Sequence, residues 1–156
     1  MRWVRPEGMH LTLSFIGNVE LEKLETLGRI IVDATKNTVP FRLNFAGCGV
    51  FPTQEKARVV WVGTDQGTSE LKKIRNALDQ RLTAIGFVQD SRPFKPHLTL
   101  GRIRYPLDPE VIGQFLEREA LFQTDTEWIK NIILFESRLT AQGAHYNPLQ
   151  VHDFQR

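Results

Sequence analysis

The tetrapeptide His10-Leu11-Thr12-Leu13 returns unchanged as His97-Leu98-Thr99-Leu100. Each copy alternates polar and apolar residues, the pattern of a half-buried strand. Side chains alternate between the faces of a strand, so in each copy the His and Thr share one face and the leucines the other. The leucines belong in a core. An imidazole and a hydroxyl are then left side by side on an open face, twice. A fold that brings the copies together makes a cleft with two imidazoles and two hydroxyls, an arrangement suited to acid–base chemistry on a phosphate.

At 156 residues the chain reads as a single domain over its whole length, large enough for a real core. Its hydrophobic fraction of 41% and charged fraction of 24% are those of an ordinary soluble globular protein. A lone cysteine, Cys48, excludes an internal disulfide and points to a reducing compartment, so a cytoplasmic location is expected. Set between Gly47 and Gly49, it reads as a small buried hydrophobe rather than a reactive thiol. No apolar run is long enough to span a membrane, and no stretch has the pattern of a signal peptide. The net charge of +2 excludes a polycation, but the local distribution is uneven. Arg92, Lys95, Arg102 and Arg104 bracket the second tetrapeptide, and Arg2 and Arg5 precede the first. Positive charge at both copies favours an anionic substrate.

Along the chain, Met9 to Ile16 reads as a strand stopped by Gly17-Asn18. Leu21, Leu24, Leu27 and Ile31 predict a helix over about 20–35 that buries this stripe. Phe41, Leu43 and Phe45 alternate as in a strand, and Gly47, Gly49, Pro52 and Thr53 mark a loop. Arg58 to Val62 is strand-like. Thr68 or Ser69 caps a second helix with Leu71, Ile74, Leu78, Leu82 and Ile85 on its apolar face, closed by Gly86. Phe87-Val88 reads as a short strand before the Arg92–Pro96 loop, and the second motif strand runs to Ile103. Asp108-Pro109 is a helix start, an acidic N-cap followed by Pro at the first position. Glu127 to Arg138 reads as one long strand, Gly143 as a turn, and Tyr146 to Val151 as the strand pairing back. A motif strand followed by a helix and strands occurs in both halves, which predicts an α+β domain of two similar lobes.

One His-x-Thr-x on the wet face of a strand needs no function. Two identical copies flanked by arginines do. A metal site is disfavoured, because zinc takes three or four ligands and the histidines lack short spacing to others. No nucleophile-elbow motif supports a serine nucleophile. His145 and His152 read as surface residues. Two imidazoles titrate in the same range, so one serves as base and the other as acid in phosphodiester hydrolysis. Thr12 and Thr99 are placed to hydrogen-bond the non-bridging oxygens. This chemistry requires neither metal nor cofactor.

The paired His-x-Thr-x motifs resemble the two-histidine phosphoesterase superfamily, and within it the RNA 2′,3′-cyclic phosphodiesterases, also called 2′-5′ RNA ligases. Trp3-Val4-Arg5-Pro6-Glu7 with His10–Gly17 looks like the family's first motif block. The stretch from Arg92 to Arg102 looks like its second, and Phe135–Thr140 with Gly143 and Tyr146 resembles its ending. The resemblance implies a bilobal α+β fold, two pseudo-twofold-related antiparallel sheet lobes with outer helices around a central cleft. It also implies hydrolysis of a terminal 2′,3′-cyclic phosphate on RNA to a 2′-phosphate. In that scheme His97 is the base that activates water and His10 the acid that protonates the departing 3′ oxygen, although the roles can be exchanged. Thr12 and Thr99 hold the phosphate. The family places an aromatic at Phe15, which suits base stacking; Arg102 and Tyr146 are candidate phosphate or nucleotide contacts. The family's strand and helix ahead of the first block have no counterpart before Met1, so an upstream start or a fragment is expected, with a sheet edge exposed. RNA ends or small cyclic nucleotides are the expected partners, with no membrane, and a monomer is expected. The alternatives are 2′-5′ ligase or 2′-5′ phosphodiesterase activity, or an RNA- or nucleotide-binding module without turnover.

Overall fold

The computed structural model describes residues 1–140 and 143–155. In chain order its elements are β1 (Arg2–Trp3), a 3-10 turn (Pro6–Gly8), a second 3-10 turn (Leu21–Lys23), α1 (Leu24–Thr35), β2 (Phe41–Leu43), β3 (Phe45–Phe51), β4 (Val59–Thr64), α2 (Thr68–Ala84), β5 (His97–Arg102), α3 (Pro109–Arg118), β6 (Glu127–Ile129), β7 (Asn131–Thr140) and β8 (Gly143–Asp153). Helices and antiparallel sheets together make the fold α+β, as the alternation of patterns predicts. The chain forms two compact units, one from residues 1–12, 42–68 and 95–127, the other from 13–41, 69–94 and 128–156. Among the described residues no helix is long and apolar enough to cross a membrane.

The first unit is built on a four-stranded antiparallel sheet in the order β1-β5-β4-β3. The predicted strand at Met9–Ile16 does not form. Arg2 and Trp3 pair with Arg102 and Gly101, and the Val4 N–H donates to the Leu100 carbonyl. Pro6 then opens the 3-10 turn, which lifts the chain off β5. Pairing resumes only as an isolated antiparallel bridge between Leu11 and Leu98.

The loop expected from Gly47 is instead the middle of β3. Gly47, at φ +62°, takes up a bulge between Ala46 and Cys48 and donates its N–H to the Phe122 carbonyl. The run Phe41–Phe45 is not one strand either. It breaks at buried Asn44, whose side-chain oxygen accepts the Gln66 N–H at 2.8 Å. At α3 the Asp108 carboxylate accepts the Glu110 N–H at 2.9 Å, with Pro109 at the first helical position, as expected. Its Ile112, Phe115 and Leu116 pack with Val50, Ala57, Val60 and Ile103 to form that unit's core.

The second unit holds α1, most of α2 and the β7–β8 hairpin. Leu27, Ile30 and Ile31 of α1 are buried, each such side chain stabilising the fold by about 1.5–3 kcal/mol. Leu21 falls in the preceding 3-10 turn and is exposed, so the buried stripe starts later than its spacing suggests. In α2, Leu71, Ile74, Leu78 and Leu82 are buried as expected, while Ile85 lies beyond the helix and is exposed. Gly86, at φ +89°, ends the helix in the left-handed conformation, and the Phe87 N–H returns to the Leu82 carbonyl. That return bond belongs to the helix cap, and Phe87-Val88 forms no strand. The long strand expected over 127–138 breaks at Lys130, whose carbonyl accepts the Phe154 N–H. His145 is exposed, whereas His152 is half-buried, with Nε2 3.1 Å from the Gln150 side-chain oxygen.

Candidate active site

Both histidines are tied down in the same way. His10 Nδ1 lies 2.9 Å from the Gly8 carbonyl oxygen, and His97 Nδ1 lies 2.7 Å from the Lys95 carbonyl oxygen. A carbonyl only accepts, so in each ring Nδ1 carries the proton. Nε2 is then the nitrogen that takes up or gives a proton, and the anchor two residues back fixes the plane of the ring. Both rings are half-buried.

The Leu11–Leu98 bridge sets His10–Thr12 beside the second tetrapeptide, antiparallel, within the first unit. Stepping outward from that pair, His10 falls toward Thr99 and Thr12 toward His97. The expected split into wet and dry faces is only partial. Leu11, Leu13, Leu98 and Leu100 are half-buried, as is Thr99, and Thr12 is exposed.

Register defines one face of the sheet in detail. On β4, Val59, Trp61 and Gly63 share a face, and their partners on β5 are Arg102, Thr99 and His97. Strict alternation would turn Arg102 away from the histidine. A bulge that leaves Leu100 unmatched, between the Val60–Gly101 and Trp61–Thr99 pairs, brings it back. Arg102 is exposed on that face, opposite Arg2 of β1.

The same face carries an aromatic wall that the sequence reading missed. Phe51 meets His97 edge-on with ring centroids 5.0 Å apart, and Trp61 lies 6.1 Å from His97 and 5.1 Å from Phe51. Trp61 is buried, and among the described residues its indole nitrogen has no hydrogen-bond partner. Gly63 opposite His97 leaves the imidazole without a cross-strand side chain on β4. The ammonium of Lys95 sits 4.1 Å above the Trp61 ring. The available signal was parity: Lys95 is two residues before His97, with Pro96 holding the backbone between them extended.

Phe15 and Tyr146 belong to the second unit. Phe15 is 77% exposed. Tyr146 is half-buried, edge-on to Phe135 with centroids 6.4 Å apart. In the same unit the Arg92 guanidinium holds the Asp90 carboxyl down at about 2 by direct hydrogen bonds. Burial and the nearby Glu119 carboxylate push the Cys48 thiol up, in keeping with a half-buried, unreactive cysteine. Among the described residues no group of three His, Cys, Asp or Glu side chains is gathered as a metal-ligand set.

Paired imidazoles, hydroxyls and unneutralised cations on an α+β scaffold are the equipment of a phosphoesterase. Comparison with known proteins agrees. The 2′-5′ RNA ligase superfamily matches residues 3–128. The RNA 2′,3′-cyclic phosphodiesterase of Aeropyrum pernix is 34% identical over 149 residues, spanning 96% of this chain and 84% of that protein. Escherichia coli LigT, solved with 3′-AMP, superposes with a TM-score of 0.73 at 25% identity, over 99% of this chain and 82% of that one. TT0787 of Thermus thermophilus shares the fold, with a TM-score of 0.76 at 23% identity over 98% of this chain and 81% of that one. The chain belongs to the 2′-5′ RNA ligase superfamily and, at the level of that family, is a phosphoesterase.

Proposed function

We propose that this enzyme hydrolyses a terminal 2′,3′-cyclic phosphate on RNA to a 2′-phosphate without a metal ion. The observation that carries the reading is the antiparallel Leu11–Leu98 bridge between two tetrapeptides whose histidines share one tautomer and one backbone anchor. His97 Nε2 accepts a proton from water as its oxygen attacks phosphorus. The bond from phosphorus to the 3′ oxygen breaks, and the His10 imidazolium gives its proton to that oxygen. The products are a 2′-phosphate and a free 3′ hydroxyl, and one proton has moved from one histidine to the other. Exchanging the two roles balances equally well. Thr12, Thr99 and Arg102 meet the non-bridging oxygens, where negative charge grows in the transition state. Phe15 and Tyr146 are assigned to the nucleotide. A cytoplasmic setting, where RNA ends and a reduced Cys48 coexist, goes with this reading.

The test uses an RNA oligonucleotide ending in a 2′,3′-cyclic phosphate, incubated in EDTA and read by mass spectrometry and by digestion that separates 2′- from 3′-phosphates. The wild type is expected to add one water and yield the 2′-phosphate. His10→Ala and His97→Ala are each expected to lose activity by at least about 100-fold. Full activity in either variant, or activity that disappears with EDTA, overturns the mechanism. Activity confined to 2′-5′-linked RNA moves the substrate to the internal linkage and keeps the histidine pair. Salt-dependent binding with no product leaves a binding module.

A further inference from the structure

We propose that Lys95 is a phosphate-binding residue of this site. The inference rests on the phosphodiesterase reading for its substrate but not for its geometry.

The residue before a proline is held in the extended region, so Lys95 and His97 project from the same side of the chain on either side of Pro96. Lys95 then does two things at once. Its carbonyl accepts the Nδ1 proton of His97, and its side chain lies back so that Nζ rests 4.1 Å above the indole of Trp61. Trp61 pairs with Thr99 and stands 6.1 Å from the His97 ring. The ammonium is therefore parked on the face that carries His97 and Thr99.

What holds the ammonium there is a neutral π face. Among the described residues no carboxylate forms an ion pair with Lys95, whereas Arg92 in the preceding loop is paired with Asp90 at 2.6 Å. The contrast matters, because the two cations look alike in sequence. The charge on Arg92 is neutralised locally. Lys95 keeps its full charge, on an exposed side chain held near one position by Trp61. Trp61 itself is buried, packed against Phe51 and over Gly49, so the platform is rigid. A pre-placed, unneutralised cation beside an imidazole and a hydroxyl is suited to the negative charge that builds on the non-bridging oxygens during in-line attack.

The test uses the full chain and two variants. Lys95→Met keeps the apolar stem on Trp61 and removes the charge; Lys95→Arg keeps the charge. Inorganic phosphate is titrated into each, followed through the amide resonances of His97 and Thr99. Lys95→Met is expected to weaken phosphate binding about tenfold, with Lys95→Arg within about threefold of wild type, the scale of one charge-assisted contact. With the cyclic-phosphate RNA, Lys95→Met is expected to raise KM about tenfold and to flatten the dependence of log KM on log salt by about one unit.

Phosphate binding that is the same in Lys95→Met and wild type overturns the assignment, whatever turnover does. Phosphate binding that depends on Lys95 in a wild type with no turnover upholds it and removes the phosphodiesterase reading instead. Loss in both Lys95→Met and Lys95→Arg, with unchanged melting temperatures, means the charge is not what matters and also overturns it.

Discussion

The Arg75 guanidinium donates a hydrogen bond to the carbonyl oxygen of Leu13, 2.6 Å away, from a side chain only 9% exposed. It also donates to the Asp79 carboxylate at 2.6 Å and lies 5.4 Å above the ring of Phe94. Leu13 follows the first tetrapeptide's Thr12, and Phe94 stands three residues before His97, so one buried arginine grips the exit of one motif and the approach to the other. Its loss strands a carboxylate whose second oxygen, Asp79 Oδ1, is buried with no hydrogen-bond partner among the described residues. Breaking such a pair from one side costs about 3–5 kcal/mol when both groups are fully buried, and Asp79 is 28% exposed, which lowers it. Arg75→Met is expected to lose about 2–3 kcal/mol in urea unfolding. A loss under about 1 kcal/mol would class the contact with surface pairs.

Gly49 is fixed by Trp61. A Cβ at position 49 would fall 2.0 Å from the indole, which is packed on its other sides by Phe51 and Lys95 and has no room to retreat. Gly49→Ala is expected to destabilise the fold by about 1–3 kcal/mol, the usual cost of overpacking. Trp61→Phe removes the clashing ring atoms, so the double variant should be more stable than the sum of the single changes predicts, by at least about 0.5 kcal/mol. Strict additivity in thermal melts would show that Gly49 is there for the backbone and not for the indole.

What could be read in the chain was what depends on near neighbours. The apolar face of α2 follows from the 3.6-residue spacing of Leu71, Ile74, Leu78 and Leu82, and the start of α3 from Asp108-Pro109. The two tetrapeptides stood out by repetition alone, and the family's fold followed from them. What failed depends on partners distant in sequence. Met9–Ile16 has a strand's alternation, but β5 offers it one bridge, at Leu11. Gly47-Cys48-Gly49 reads as a loop until Trp61 is seen lying on Gly49 across the sheet. Nothing near Arg75 in the sequence points to its acceptor, a carbonyl 62 positions away. Arg102 reaches the face of His97 through a bulge, and no period-two pattern foretells one.

Cys48 offers a check on local electrostatics. Burial first, and the Glu119 carboxylate second, disfavour its thiolate. At neutral pH the thiolate fraction is therefore below that of a free cysteine, and alkylation by iodoacetamide is expected to be slower than for a small thiol and to quicken as pH rises. Glu119→Gln removes a negative charge that raises the thiol's pKa, so the thiolate fraction at a given pH increases and alkylation speeds up. Slower alkylation in Glu119→Gln would put the wrong sign on the interaction.

The pH dependence of turnover separates the two histidines. A general base must be unprotonated, so kcat/KM climbs with pH through the base's titration; a general acid must be protonated, so kcat/KM falls through the acid's. With one imidazole in each role the wild type is expected to show a bell-shaped profile. Removing the base takes away the rising limb and leaves the falling one. Removing the acid does the reverse. With His97 as base, the residual activity of His97→Ala should be flat on the acid side and still decline in alkali, and that of His10→Ala should rise from acid and then level. The opposite pattern exchanges the roles, which the matching Nδ1 anchors at Gly8 and Lys95 permit. Both limbs persisting in both variants would mean that neither histidine moves the proton, and the Leu11–Leu98 bridge would then join two structural motifs and not a catalytic pair.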